Sequence, residues 1–407
     1  MNTNVPYSSD TTQTNATLSA GQSKTLQLPP VSLYIHIPWC VQKCPYCDFN
    51  SHGQKQATLP EAEYVSHLLD DLAHDGKLIG DRAVHSIFIG GGTPSLFSPE
   101  AIGRLLSGVR QRVNLAADAE ITLEANPGTV ESERFKGFAK AGVNRISIGV
   151  QSFQQEKLER LGRIHDEQQA LNAASYARDA GLNSFNLDLM HGLPEQSIED
   201  ALFDLRQGID QKPPHLSWYQ LTIEPNTQFH SKPPTLPEDD ILWDIQEQGH
   251  DMLIAAGYEQ YEISGYSLAG QQCRHNLNYW RFGDYLGIGC GAHGKVTVKD
   301  TGQILRTVKV KHPKGYMDLT RPYLHQQHNV QDEELPFEFF MNRLRLLEPC
   351  PKQDFTDFTG LKLEEQTTLA TNLATAVKKG LLAETDTHWQ VTPLGRRYLN
   401  SLLEMLV

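Results

Sequence analysis

Six short apolar runs alternate with amphipathic stretches between Val31 and Pro225, and this alternation constrains the chain more than any other feature. The runs are VSLYIHI (31–37), HSIFIGGG (85–92), EITLEAN (120–126), RISIGVQS (145–152), SFNLDLMHG (184–192) and HLSWYQLTIEP (215–225). Each is rich in β-branched and aromatic residues and nearly continuous in apolar character, as strands buried on both faces should be. Helical patterns fill the intervals at 61–74, 98–112, 131–141, 167–180 and 197–211. Two of these, SPEAIGRLL from Ser98 and SIEDALFDL from Ser197, open on a capping serine followed by acidic residues. A strand–helix unit repeated six times predicts an α/β fold with a parallel sheet, curled or doubly wound. Polar residues gather where the strands end: Gly90 to Thr93, Glu124 and Asn126, Gln151, and Asp188. One such residue is ordinary turn chemistry. Four strands sharing the trait at the carboxyl edge, where such sheets bind ligands, make a candidate site.

After Pro225 the regularity ends. A Pro-rich connector, SKPPTLPEDD, leads into a helical pattern at 238–256 and then into YEQYEISGYSLAGQQCRHNLNYWRFGDYLGIGCGAHG. This last stretch fits no simple period, and strands with tight turns are expected there. From about Glu333 the chain reads as mainly helical, with a hairpin near Thr385–Thr387 before a final helix, an order like that of a winged-helix module. The expected organisation is a flexible tail at 1–30, an α/β core at 31–235, an extension and connector at 236–330, and a smaller C-terminal domain at 331–407. The opening residues, rich in Ser, Thr, Asn and Gln, have neither the basic start nor the apolar centre of a signal peptide. No run approaches the ~20 apolar residues of a membrane span. Thirty-six Lys and Arg against forty-nine Asp and Glu leave a net charge of −13, which argues against general nucleic-acid binding and favours a structural or docking role for the C-terminal module. Six cysteines, three of them clustered, fit a reducing cytoplasm better than a disulfide framework.

The cluster is CVQKCPYC, with Cys40, Cys44 and Cys47 spaced C-x3-C-x2-C. A zinc site completed by His36, Asp48 or His52 is the plain alternative, but zinc knuckles come in pairs and no second one exists. A [4Fe–4S] cluster on three cysteines would leave one iron open to a small ligand. The spacing directly after a first strand, with Tyr46 before the third cysteine, resembles the radical S-adenosylmethionine (SAM) superfamily. GGGTP (90–94) looks like the glycine-rich turn of that superfamily, and LEANPG and RISIGVQSF match its following strands. The resemblance spans nearly the whole chain and implies a partial (β/α)6 barrel, a [4Fe–4S] cluster on Cys40, Cys44 and Cys47, and SAM on the open iron. From the coproporphyrinogen dehydrogenase branch it implies SAM contacts at Tyr34, Tyr46, Gly91, Gly92, Thr93, Glu124, Gln151, Arg163 and Asp188. Arg163 rests on the resemblance alone; Asp188 also stands on its own, because a carboxylate within an apolar strand must find a partner.

Three features depart from the oxygen-independent coproporphyrinogen III oxidases of that branch. Phe49 stands where those enzymes have a fourth cysteine, the region before the first strand is short, and HNLNYW (275–280) matches the HNxxYW heme motif of a sister family, the heme chaperones HemW. His275 offers an imidazole for heme iron, Tyr279 and Trp280 offer flat faces for a porphyrin, and Asn276 or Arg274 can reach propionates. Cys273 and His293 are further candidate ligands. By residue chemistry alone, a hydrogen-bonded corner of the core fits the same residues; the resemblance favours heme. The implied protein is a cytoplasmic heme chaperone with heme and a heme-acceptor protein as partners. Peripheral membrane association and a homodimer are compatible with it, and nucleic acid is not expected. The family's reaction type splits SAM with an electron from the reduced cluster, which a chaperone need not do in every cycle. The alternatives are oxidase activity, which would form vinyl groups from a porphyrinogen, and a heme- or redox-sensing regulator that binds DNA.

Overall fold

The computed structural model describes residues 26–54, 58–128, 131–182 and 184–406, so most of the expected tail lies outside the described residues. Six parallel strands, β1 (Val31–Ile37), β2 (Val84–Gly91), β3 (Leu115–Ala125), β4 (Arg145–Gln151), β5 (Ser184–His191) and β6 (His215–Gln220), lie side by side in sequence order. Sequential order is that of a curled, partial barrel; a doubly wound sheet reverses direction from a central strand. The connecting helices include α1 (Glu61–Asp75), α2 (Pro99–Arg110), α3 (Glu131–Ala141), α4 (Gln155–Arg160), α5 (Glu167–Asp179) and α6 (Ile198–Asp210). Ser98 and Ser197 cap α2 and α6 as expected, each hydroxyl accepting from a backbone amide three residues on.

The strands depart from the expectation of two equally apolar faces. One face carries Leu33, Ile35, Ile87, Ile89, Leu123, Ile146, Ile148, Leu187 and Leu189, all buried in the main core. The register sets the alternate residues beside one another on the opposite face: Tyr34 beside Phe88, Glu124 beside Ser147, and Asp188 beside Ser217. A polar lining results, and its carboxylates need partners from within it.

The extension continues the same sheet on both sides. Beyond β6, β7 (Gly265–Ser267) pairs antiparallel. Beyond β1, β8 (Asp284–Gly289) pairs parallel, followed by an antiparallel meander of β9 (His293–Val298), β10 (Gln303–Lys309) and β11 (Leu324–Asn329). Buried ion pairs fasten these strands to the barrel. Lys309 Nζ lies 2.5 Å from Asp71 and 2.7 Å from Asp75 on α1, and the Tyr316 hydroxyl donates to Asp71 at 2.6 Å. The long helix expected at 238–256 forms as α7 (Asp239–Ala255).

One element was not expected. The aperiodic stretch contains a seven-residue helix, α8 (Arg274–Trp280). Its N-terminus is held by Glu120 of β3, whose carboxylate accepts from the backbone amides of Arg274 and His275 at 3.1 Å each. An anion at a helix N-terminus is stabilising, and here it comes from a distant strand. The C-terminal region has its own core around Phe339, Phe340, Phe355, Leu373, Trp389 and Leu402. Helices and a three-stranded sheet build it, with the hairpin of Leu382–Glu384 and His388–Val391 turning where the sequence placed it.

Candidate functional site

After β1 the chain does not enter a helix but folds into a loop carrying the cysteines. Cys40 sits on a two-residue strand, Trp39–Cys40, paired with His52–Gly53, which closes the loop on itself. The Asn50 amide pins the loop to the extension by donating to the carbonyls of Cys290 and Lys311 at 2.9 and 2.8 Å. His36 pins it to β1: Nε2 lies 2.9 Å from the Asn50 carbonyl and Nδ1 lies 2.8 Å from the Tyr34 hydroxyl. A carbonyl only accepts, so Nε2 carries the proton and Nδ1 accepts from Tyr34. Burial pushes His36 down to about 4, so the ring is neutral.

Cys40, Cys44 and Cys47 are free thiols and line one cavity of about 510 Å³. The structure brings Tyr46, Gly91, Gly92, Thr93, Glu124, Gln151, Arg163, Asp188, Asn276 and Trp280 to the same cavity. The glycine turn is tied to the cysteine loop by Gly92 N donating to Ile37 O and Thr93 N to Trp39 O, at 2.8 and 2.7 Å. A Cβ on Gly92 would lie 2.5 Å from the Trp39 carbonyl oxygen, so only glycine permits this approach. Arg163 bridges the loop and the barrel. Its guanidinium donates to Asn126 Oδ1 at 2.7 Å and to the Gly149 carbonyl at 2.6 Å, and lies 3.7 Å from Cys44 Sγ. Gln151 adopts a left-handed backbone, φ 69°, and its amide oxygen accepts from Tyr219 at 2.8 Å. Strained non-glycine backbone of this kind concentrates at functional sites.

Three carboxylates line the cavity, Glu124, Asp188 and Glu262, and the first two lie at the strand ends. Asp188 accepts from Asn186 at 2.7 Å and from Ser147 at 3.1 Å, which partly offsets the burial that raises its pKa. Glu124 accepts a hydrogen bond from the Gly91 amide at 3.0 Å and from no other group among the described residues. Burial first, and then the Asp188 charge, push Glu124 up to about 7. Burial also raises the thiols of Cys40 and Cys47. Three thiols, an under-satisfied buried carboxylate and an orphaned Arg163 Nε fit a three-thiolate iron–sulfur cluster together with a ligand carrying an amino group and a carboxylate.

The remaining predicted residues fall elsewhere. Tyr34 and Tyr279 line a second cavity of about 780 Å³, which shares Phe49, Gly91, Glu124 and Trp280 with the first. His275 lines neither. It is buried, stacked on Phe88 at 4.2 Å, with Nδ1 3.0 Å from both Glu120 Oε1 and Cys273 Sγ. Burial opposes charge on His275, but Cys273 and Glu120 outweigh it and hold its pKa up at about 9. Glu120 is correspondingly low, at about 2, where its hydrogen bonds and the charge of His275 outweigh burial. Glu120, Phe88, Tyr219 and Arg345, whose guanidinium lies 4.5 Å over the Trp280 ring, were missed in the sequence. For Glu120 a signal was present: it is a second carboxylate in the run that holds Glu124, and the partner argument made for Asp188 applies to it equally.

A partial parallel barrel with three thiols in its first loop and a glycine turn beside them defines the class of radical SAM proteins. The model of the Radical SAM superfamily matches residues 34–205, and that of the HemN C-terminal domain matches 330–398. The chain belongs to the heme chaperone HemW family within that class, and its cofactors are a [4Fe–4S] cluster and SAM. It is 62% identical over 382 residues to the heme chaperone HemW of Escherichia coli, spanning 94% of this chain and 99% of that relative. It is 58% identical over 385 residues to the Haemophilus influenzae protein of the same name, with the same coverage, and 32% identical over 374 residues to that of Bacillus subtilis, covering 90% and 96%. Among solved structures, coproporphyrinogen III oxidase (HemN) from Escherichia coli superposes with a TM-score of 0.78 at 24% identity, covering 93% of this chain and 90% of that one, a likeness of fold.

Proposed function

We propose that this protein is a heme chaperone that binds heme and passes it to an acceptor protein, using the barrel as a cofactor-bearing scaffold. The observation that carries this reading is the 62% identity to a heme chaperone over nearly the full length of both chains. Phe49 supports it: the ring follows the cysteine cluster, stands 60% exposed, and lines both cavities. A flat, exposed aromatic at that position suits contact with a porphyrin.

In this reading Cys40, Cys44 and Cys47 hold the cluster. The backbone of Gly91–Thr93 admits SAM closely, Glu124 takes its amino group, and Gln151, Arg163 and Asp188 complete the pocket with Tyr46. When bound, the cluster and SAM supply one-electron chemistry at the barrel mouth. Tyr279 and Trp280 on α8 face the cargo with Tyr34 in the same lining, and Asn276 reaches the neighbouring cofactor cavity. All six cysteines are free, so we place the protein in the reducing cytoplasm. Among the described residues, no helix is long and apolar enough to cross a membrane. The same reading has the protein reach a membrane-bound acceptor peripherally and allows a homodimer; vesicle flotation and sedimentation test these two points.

The test is an anaerobic preparation of the full chain mixed with heme and then with an apo-acceptor, alongside a parallel incubation with coproporphyrinogen III, SAM and reductant. Heme uptake, its loss to the acceptor and no vinyl-group formation are expected. Failure to bind heme, or stoichiometric vinyl-group formation, overturns the reading.

A further inference from the structure

We propose that the 780 Å³ cavity between the cysteine loop and β8–β10 is the seat of the heme, with His293 as the side chain that reaches the iron and Lys311 as the partner of a propionate. This rests on the heme-chaperone reading and goes beyond it by assigning the ligand. The volume lies in the range of about 300–1,000 Å³ that small-molecule sites occupy. Its walls include the rings of Phe88, Tyr279, Trp280 and Tyr285, flat apolar surfaces of the kind a macrocycle packs against. Lys43, Lys295, Arg306 and Lys311 line it against only Asp48 and Glu124. Asp284 and Glu338 behind the wall neutralise Lys295 and Arg306, which leaves the ammonium groups of Lys43 and Lys311 to meet an anionic ligand, and heme carries two propionates.

The histidines sort themselves by availability. His275, the histidine of the HNxxYW motif, is buried outside the cavity, with Nδ1 on Glu120 and Nε2 facing the Cys273 sulfur at 3.4 Å, so neither ring nitrogen opens onto the cavity. His36 lines the cavity, but both its ring nitrogens are engaged. His52 lines it too, yet its Nε2 is buried against protein without a partner. His293 is exposed, lines the cavity, and has no hydrogen bond or ion pair among the described residues. It begins β9, paired in register with Val308, so its backbone is fixed while its imidazole is free. The cations sort the same way. Lys295 is committed to Asp284, Arg306 to Glu338, and Lys43 to the Phe49 carbonyl. Lys311 is exposed, and its ammonium has no partner among the described residues.

His275 then acts as a positioning residue. With Glu120 it anchors the start of α8, and α8 carries Tyr279 and Trp280 into the cavity wall. The motif shapes the site, and a histidine from outside the motif meets the metal.

Hemin titration of the anaerobically prepared full chain, followed by absorption and by the iron–histidine stretch in resonance Raman, tests this. The wild type binds with a histidine–iron signature. His293→Ala, at an exposed position with no side-chain hydrogen bond or ion pair among the described residues, abolishes that signature and weakens binding by about tenfold or more, and added imidazole restores the signature. Lys311→Ala weakens binding with the signature intact. His275→Ala also weakens binding with the signature intact, which separates positioning from ligation. If His293→Ala keeps the signature, or if His275→Ala alone loses it and imidazole restores it there, the assignment is overturned. A wild type that binds no heme overturns the chaperone reading itself.

Discussion

Glu124 faces the first cavity as a buried carboxylate with a single hydrogen bond among the described residues. Its folded pKa of about 7 lies above the ordinary carboxylate value, so ionisation is unfavourable in the empty cavity. Below pH 4.5 the group is protonated folded or unfolded and contributes nothing. Between pH 4.5 and 7 the unfolded chain ionises while the folded group keeps its proton, so a penalty of about 3 kcal/mol accrues across that window and is complete above 7. Glu124→Gln is therefore expected to raise the melting temperature of the SAM-free protein at pH 8 but not at pH 4.5, and to weaken SAM binding by about tenfold or more in equilibrium dialysis. Equal melting shifts at both pH values would contradict this. The buried pair of His275 and Glu120 runs with the opposite sign. His275 is raised to about 9, so its contribution is complete below 6.5 and lost as pH rises through 9; Glu120 is lowered to about 2, so its contribution is complete above 4.5 and lost as pH falls through 2. The pair stabilises most between 4.5 and 6.5. Glu120→Gln should cost about 3 kcal/mol at pH 6, measured by denaturant unfolding, with the difference from wild type shrinking toward pH 10.

Among the elements, the glycine turn and the strand extension make the sharpest demands. Gly92→Ala forces a methyl against the Trp39 carbonyl and separates the turn from the cysteine loop. Iron and sulfide per chain should fall sharply after reconstitution while far-ultraviolet circular dichroism stays near wild type; full cluster occupancy would refute the close approach. Asp71→Asn leaves buried Lys309 without one of its two carboxylates and should destabilise by about 3 kcal/mol in urea, with the extension loosening first in hydrogen exchange. The strands and most helices were legible in the sequence because their signals are local: apolar runs, serine caps, a proline-rich break. The alternating faces could also have been read, since Asn186 and Asp188 stand two apart among apolar neighbours in SFNLDLMHG. Helix α8 could not, because its cap comes from Glu120, 155 residues away along the chain. The same holds for β8, whose place beside β1 depends on pairing between distant segments and on no pattern within either. Of the candidate site, the cysteines, the glycine turn and the strand-end carboxylates could be read from the sequence as residues that gather at one cavity. The burial of His275 away from both cavities was not, because exposure is decided by packing that spacing does not encode.

On the scale of the whole molecule, one sheet serves two cavities. The barrel strands present thiols and carboxylates to the first, and the strands added beside β1 turn a cationic, aromatic wall toward the second, with Phe49, Glu124 and Trp280 shared between them. In the proposed reading the shared lining couples a cofactor site to a cargo site. SAM bound against Glu124 should therefore alter heme affinity, and by linkage heme should alter SAM affinity by the same factor, which paired calorimetric titrations would measure. The central claim is that a radical SAM barrel here carries heme rather than converting a porphyrinogen. The most direct measurement is quantification of non-heme iron, sulfide and heme on one anaerobic sample of the full chain, before and after mixing with an apo-hemoprotein. The account predicts a full [4Fe–4S] complement that persists throughout and heme that binds to the chain and then leaves with the acceptor. A cluster-loaded protein that takes up no heme, or that retains all of it in the presence of the acceptor, would contradict it.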